Sequence, residues 1–178
     1  MAKERIDEDL DLDNVGVIRE IYDDSNANEH FAQELERMLE EKRDVILIEP
    51  TKIGDEAAKW IRFGNFLHKG AVVSGACCLL CPLLLPGRVA MVHYPLGFMS
   101  GACAMLYGIS WQSDPCCKYQ VDLDGRVMSR LRVERLTTAS PLVLVRRDDR
   151  VRKYLHNTVS GLAILYTAVK AYEWWNGS

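Results

Sequence analysis

Between Gly70 and Gln112 the only Asp, Glu, Lys, Arg or His side chains are Arg88 and His93, while nearly all remaining charge sits in the flanks. A water-soluble core distributes apolar residues along the chain at periods of two or 3.6, so this segregation argues against one. The charge-free stretch falls into two runs. Gly70 to Leu85 is sixteen residues, which as a helix reaches about 24 Å, short of a ~30 Å hydrocarbon core unless neighbours extend it. Pro86-Gly87-Arg88 follows as a turn. Val89 to Gln112 is longer and ends with Tyr107 and Trp111, placed as interface anchors. Two helices joined by three turn residues are antiparallel.

The fold class this pattern predicts is a membrane α-helical hairpin of two transmembrane helices, with a small α+β membrane-adjacent domain built from both flanks. Basic residues gather at the outer ends of the hairpin (Lys59, Arg62 and Lys69 before it; Lys118, Arg126 and Arg130 after it), so both termini are expected on one, more positive side.

The flanks are opposite in charge. Residues 1–49 hold six Lys/Arg against sixteen Asp/Glu, and residues 118–153 hold ten against five. Opposite flanks of a hairpin emerge side by side, which favours their mutual attraction over contact with acidic lipid. Residues 1–14 read as an acidic disordered tail with no apolar leader segment and too much acid for a mitochondrial presequence. Residues 15–69 form an α/β flank: a strand in Val15–Tyr22, a turn at Asp23–Asn26, an amphipathic helix over 27–43 with Phe31, Leu35, Met38 and Leu39 on one face, and a buried strand Val45–Ile48 stopped by Pro50. Asp55–Lys69 then reads as a helix approaching a membrane surface, carrying Trp60, Phe63 and Phe66. After the hairpin of 70–112, residues 113–149 are β-rich, with a hairpin expected where Tyr119–Leu123 meets Asp124-Gly125 and a strand at Leu142–Val145. Residues 150–178 are expected to form an amphipathic or membrane-associated helix, with a third span as the alternative. Its charge-free part, Val159–Val169, is too short to cross alone.

Six cysteines (Cys77, Cys78, Cys81, Cys103, Cys116, Cys117) raise the question of a metal or disulfide frame. Four lie inside the apolar runs, where a thiol behaves as a small hydrophobe, and Cys78-x-x-Cys81 has no second ligand pair nearby, so no metal site is expected. Cys116-Cys117, at the expected membrane exit, is read as a structural or merely tolerated pair, with a reactive or acylated thiol as the alternative. His30, His68, His93 and His156 lack a carboxylate or Ser/Cys partner at a telling spacing, and phosphate-loop, zinc-protease and serine-hydrolase motifs are absent, so no catalytic residue, cofactor or enzyme activity is expected. Two sets of residues remain as candidates. Gly97-x-x-x-Gly101, continued by Ala104 and Gly108, lines small residues along one helical face for close helix packing and lateral homo-oligomerisation. Arg146, Arg147, Arg150, Arg152 and Lys153 are candidates for contact with anionic membrane lipid such as cardiolipin, although Asp148 and Asp149 dilute their field.

Several blocks carry a family likeness: Ile48-Glu49-Pro50-Thr51-Lys52-Ile53-Gly54-Asp55-Glu56, Leu67-His68-Lys69, Leu106-Tyr107-Gly108-Ile109-Ser110-Trp111-Gln112, Asp114-Pro115-Cys116-Cys117-Lys118-Tyr119-Gln120-Val121, Val143-Leu144-Val145-Arg146 and Leu155-His156-Asn157-Thr158. In this order they resemble the transmembrane protein 11 family of mitochondrial morphology factors. The resemblance implies a multi-pass protein of the mitochondrial inner membrane (the outer membrane being the alternative) that helps set mitochondrial shape and cristae organisation. It also implies a cristae-junction organising complex and mitophagy receptors as partners, and no catalytic residues. No nucleic-acid partner is expected. The rival reading is a subunit of a small-solute or ion transport assembly, which the lack of ionisable residues in the core of both runs disfavours.

Deleting residues 1–14 is expected to leave mitochondrial targeting intact, because that tail has the wrong charge for a presequence; imaging of a tagged, truncated protein checks this, and a cytosolic signal contradicts it.

Overall fold

The computed structural model describes residues 14–19, 27–84, 90–122, 125, 127 and 141–177. Within these, four strands and four α-helices run β1 (Val15–Ile18), α1 (Ala27–Glu40), β2 (Val45–Ile48), α2 (Thr51–Leu84), α3 (Ala90–Ser110), β3 (Tyr119–Val121), β4 (Leu142–Arg146) and α4 (Arg150–Gly177), with a short 3-10 turn at Pro115–Lys118 before β3. The acidic tail before Asn14, the turn at Asp23–Asn26 and the Pro86-Gly87-Arg88 link lie outside the described residues. Two compact units form: Met1–Ile61 with Lys118–Arg147, and Arg62–Cys117 with Asp148–Ser178.

The first unit is a four-stranded sheet in the order β1-β2-β4-β3, drawing two strands from each side of the charge-poor segment. Val-Ile-Leu-Ile of β2 is continuously apolar, and a strand with that pattern must be covered on both faces. All four residues are at most 1% exposed, and in the plane of the sheet β1 pairs parallel along one edge and β4 antiparallel along the other. Val45, Leu47, Val143 and Val145 form one cluster with Val127, onto which Val15 and Val17 pack. A parallel β1–β2 pair needs a crossover, and α1 supplies it, burying Phe31, Met38 and Leu39. The helix ends in a Schellman turn, where Arg43 N–H donates to Met38 O and Lys42 N–H to Leu39 O. Lys42 there takes the left-handed conformation (φ 58°) that glycine usually supplies.

One strand expectation is corrected. Tyr119–Val121 pairs with β4, Tyr119 opposite Arg146, and Val127 is helical, its N–H donating to Asp122 Oδ2 at 3.0 Å. The Asp122 carboxylate thus captures a backbone donor that a hairpin would have left in a ladder. Gly125 does adopt the positive φ (62°) expected of an Asp-Gly turn.

The second unit comprises α2 from Arg62 onward, α3 and α4. Its interior is made mostly of small, thiol and polar-aromatic residues: Ala71, Ser74, Cys78, His93, Ser100, Cys103, Tyr107, Trp111, His156, Ser160 and Ala163 are all buried, beside Leu67. Side-chain hydrogen bonds to backbone cross it, Ser100 Oγ to Ala71 O at 2.8 Å and Cys78 Sγ to His93 O at 3.4 Å.

No helix among the described residues is long and apolar enough to cross a membrane, which overturns the two-span transmembrane hairpin expected over 70–112 and the third span considered for α4. Lack of charge is not the same as apolarity. The described charge-free part of α2, Gly70–Leu84, is about 22 Å long, short of ~30 Å of hydrocarbon. α3 has the length, but His93, Tyr94, Pro95, Ser100 and three glycines dilute it. Moreover, Gly70 does not begin a new helix: α2 is continuous from Thr51, so the supposed approach helix and first span are one element.

Close approach governs this unit. A Cβ at Gly64 would run into the Trp111 indole, and one at Gly97 into Thr167, whereas Gly108 has open space. Gly64→Ala and Gly97→Ala are each expected to destabilise the protein by about 1–3 kcal/mol through overpacking. Gly108→Ala is expected to be neutral or to stabilise by up to ~1 kcal/mol through helix propensity. Denaturant titration of the purified full-length variants checks the contrast.

Candidate functional site

The first turns of α4 build a polar cluster in the helical unit. Asp148 Oδ1 accepts the Arg150 N–H at 3.0 Å, fixing the start of the helix. Asp149, next in line, pairs with Lys153 Nζ at 2.7 Å and accepts the Cys117 thiol at 3.3 Å. Burial alone would raise the Asp149 carboxyl, but the Lys153 and Cys117 hydrogen bonds outweigh it and hold the group below the usual range.

Arg152, His156 and Ser160 then follow at steps of four, which places them on one face. His156 and Ser160 are each 2% exposed, and Arg152 is half-buried. Three rings meet there: Tyr107 of α3 lies 4.4 Å from His156, and His68 of α2 lies 5.4 Å from His156 and 6.1 Å from Tyr107. His156 also hydrogen-bonds the backbone of Ala104. Several buried polar atoms in this group have no hydrogen-bond partner among the described residues: Nδ1 of His68 and of His156, the Tyr107 hydroxyl, Nε and Nη2 of Arg152, and Oγ of Ser160.

The electrostatics follow from burial beside a fixed positive charge. His68 is pushed down from 6.5 to about 4, by burial first and then by Arg152, His156 and Lys69. His156 is lowered by burial and Arg152. Burial raises the Tyr107 hydroxyl, with Arg152 opposing. At neutral pH the cluster therefore holds two neutral imidazoles, a neutral phenol and a guanidinium.

The residues singled out from the sequence are distributed as follows. Gly97 and Gly101 face α4, meeting Thr167 and Ile164 of the same chain; Gly108 faces open space, and Ala104 hydrogen-bonds His156 through its backbone. Of the basic residues, Arg146 and Arg147 belong to the sheet unit: Arg146 donates to Lys42 O at 3.1 Å and lies 3.6 Å from Asp44, while Arg147 is exposed. Arg150 is exposed at the start of α4, Lys153 is engaged by Asp149, and Arg152 turns into the cluster. Cys117 is buried, and Cys116 is pushed up to about 12 by burial and by the charge and hydrogen bond of Asp114, so its thiol stays protonated at neutral pH. Among the described residues no group of three or more His, Cys, Asp or Glu side chains is placed to hold a metal ion.

In the sequence His68 and His156 are scattered, and no spacing joins them to Tyr107. The signal was the Arg152-x-x-x-His156-x-x-x-Ser160 spacing, a polar stripe inside a helix whose other faces are largely apolar.

Outside the cluster, the helical unit turns large apolar side chains outward: Phe66, Val73 and Leu80 on α2, Phe98, Met105 and Ile109 on α3, and a long row on α4. The fold and its surfaces thus define a small α+β protein whose helical unit has an apolar exterior and a partly polar interior. The chain belongs to the mitochondrial morphogenesis regulator family, whose sequence profile matches residues 14–172. It is 55% identical over 158 residues to transmembrane protein 11, mitochondrial, of Danio rerio, covering 88% of this chain and 84% of that protein. Over 175 residues it is 50% identical to the Homo sapiens protein of that name, covering 97% and 89% respectively. Transmembrane protein 11-A, mitochondrial, of Xenopus laevis is 53% identical over 158 residues, covering 88% and 84%. No solved structure matches. The resemblance read from the sequence blocks is thus shown, and with it a mitochondrial protein with a role in mitochondrial morphology.

A histidine whose folded pKa lies below its unfolded value contributes stability that is complete above the unfolded pKa and is lost as pH falls through the folded one. For His68 that window runs from 6.5 down to about 4. Thermal stability is expected to fall across this range, and His68→Gln to flatten the fall; melting curves at stepped pH check it, and an unchanged slope contradicts it.

Proposed function

We propose that the protein is a non-enzymatic organiser of mitochondrial shape and cristae, resident at the inner mitochondrial membrane, that associates laterally with its own copies and serves as a platform for partners. The observation that carries this reading is a row on α4. Val151, Leu155, Thr158, Leu162, Leu165, Val169 and Tyr172 are all exposed and succeed one another at alternating steps of four and three. That spacing forms a single seam along a helix, the kind another helix packs against. Val151 is 80% and Tyr172 69% exposed, and a protein surrounded only by water does not keep such a row uncovered. With Phe98, Met105 and Ile109 on α3, the helical unit is most apolar outside, which favours lipid and neighbouring copies as its surroundings. The cristae-junction organising complex and mitophagy receptors are the partners that family resemblance suggests for the platform.

The test is rescue of mitochondrial shape and cristae in cells lacking their own family member. Leu155→Ser, Leu162→Ser and Leu165→Ser combined are expected to reduce both rescue and crosslinking between two tagged copies at matched expression. Replacement of all six cysteines by alanine is expected to preserve rescue. Undiminished crosslinking in the triple variant would remove α4 as the contact, and loss of rescue without cysteines would restore a thiol role.

A further inference from the structure

The interior cluster presents an imbalance that the proposed function does not use. Arg152 is half-buried and its Nε and Nη2 have no partner among the described residues, while Asp149 is already held by Lys153 and Cys117. A guanidinium withdrawn from water without an anion is costly, and buried charges in proteins are generally paired. Nε and Nη2 lie on one edge of the guanidinium, the side-on fork that grips two oxygens of one anion. The buried Tyr107 hydroxyl adds a donor from α3, and the neutral His68 ring from α2 adds another when its proton sits on Nδ1. Tyr107 is 1% exposed and His156 2%, so these unmatched groups are enclosed rather than solvated, while the part-exposed His68 and Arg152 give access from outside. The guanidinium edge, the phenol and the imidazole reach the site from α4, α3 and α2, a spread of donors that the oxygens of a tetrahedral anion can accept together.

We propose that Arg152, Tyr107 and His68, with His156 as a positioning residue, form a binding site for a phosphate group, either the free ion or the phosphate of a lipid headgroup. The guanidinium supplies the charge and the two-point grip, Tyr107 and His68 fix orientation, and the His156–Ala104 hydrogen bond anchors the ring between them. Lys153 is not a ligand, since Asp149 occupies it.

Binding is measured on the purified full-length protein with two probes: inorganic phosphate, followed by calorimetry, and phosphatidylcholine vesicles with or without phosphatidic acid, followed by flotation. Arg152→Gln is expected to weaken binding at least about tenfold, the loss that accompanies removal of a hydrogen bond to a charged group. Arg150→Gln, an exposed substitution of equal charge, is expected to leave it unchanged. Tyr107→Phe, which alters no charge, is expected to weaken it by a smaller factor, and it serves as the deciding variant if Arg152→Gln fails to fold by circular dichroism. Arg152-dependent binding of phosphate alone identifies the free ion as the ligand. Arg152-dependent flotation with phosphatidic acid, competed by phosphate, identifies the headgroup. No binding of either probe, or equal binding by wild type, Arg152→Gln and Tyr107→Phe, overturns the site.

Discussion

Close contact between backbone and side chain at a few glycines is the constraint on which the helical unit depends. Its interior offers little large aliphatic surface, so the usual gain from burying leucine and isoleucine is small there. What remains is dispersion and hydrogen bonding at short range, and both require the elements to approach closely. Gly64 receives the Trp111 ring, Gly97 receives Thr167, and Ser100 reaches Ala71 O across the gap. Each of these contacts draws a different helix pair or turn into the same unit.

That choice of interior determines where the apolar residues go. With small and polar groups facing inward, Phe98, Met105, Ile109 and the α4 row are left on the outside. The sheet unit follows the opposite rule. There β2 is fully buried between strands rich in valine, leucine and isoleucine, and the outer strands carry the half-buried positions. One chain thus contains a unit with a conventional aliphatic core and, among the described residues, a unit with a small and polar interior and large apolar side chains outside.

The polar cluster is a consequence of the same economy of space. His68, Tyr107 and His156 meet there, the two imidazoles stacked and the Tyr107 ring tilted against both. Burial then keeps both imidazoles neutral and leaves Arg152 as the local charge. The unmatched donors of that cluster are the observation on which the phosphate proposal rests.

The sequence by itself determined the local elements and the family. The continuous apolar run of Val45–Ile48, the period of Phe31, Met38 and Leu39, and Pro50 after the strand are short-range signals, and short-range physics decides them. The blocks from Ile48 to Thr158 were enough to place the chain among the mitochondrial morphogenesis regulators. The tertiary structure alone decided what the charge-poor segment becomes. Absence of charge from 70 to 112 read as two spans, yet a helix crosses lipid by its length and apolarity together, and α2 and α3 do not combine them among the described residues. It also decided the partner of the Gly97 and Gly101 face, which is Thr167 and Ile164 of the chain's own last helix, some seventy residues on in sequence. Spacing along one helix says which residues share a face; only packing says what covers that face, because the covering side chains come from elsewhere in the chain.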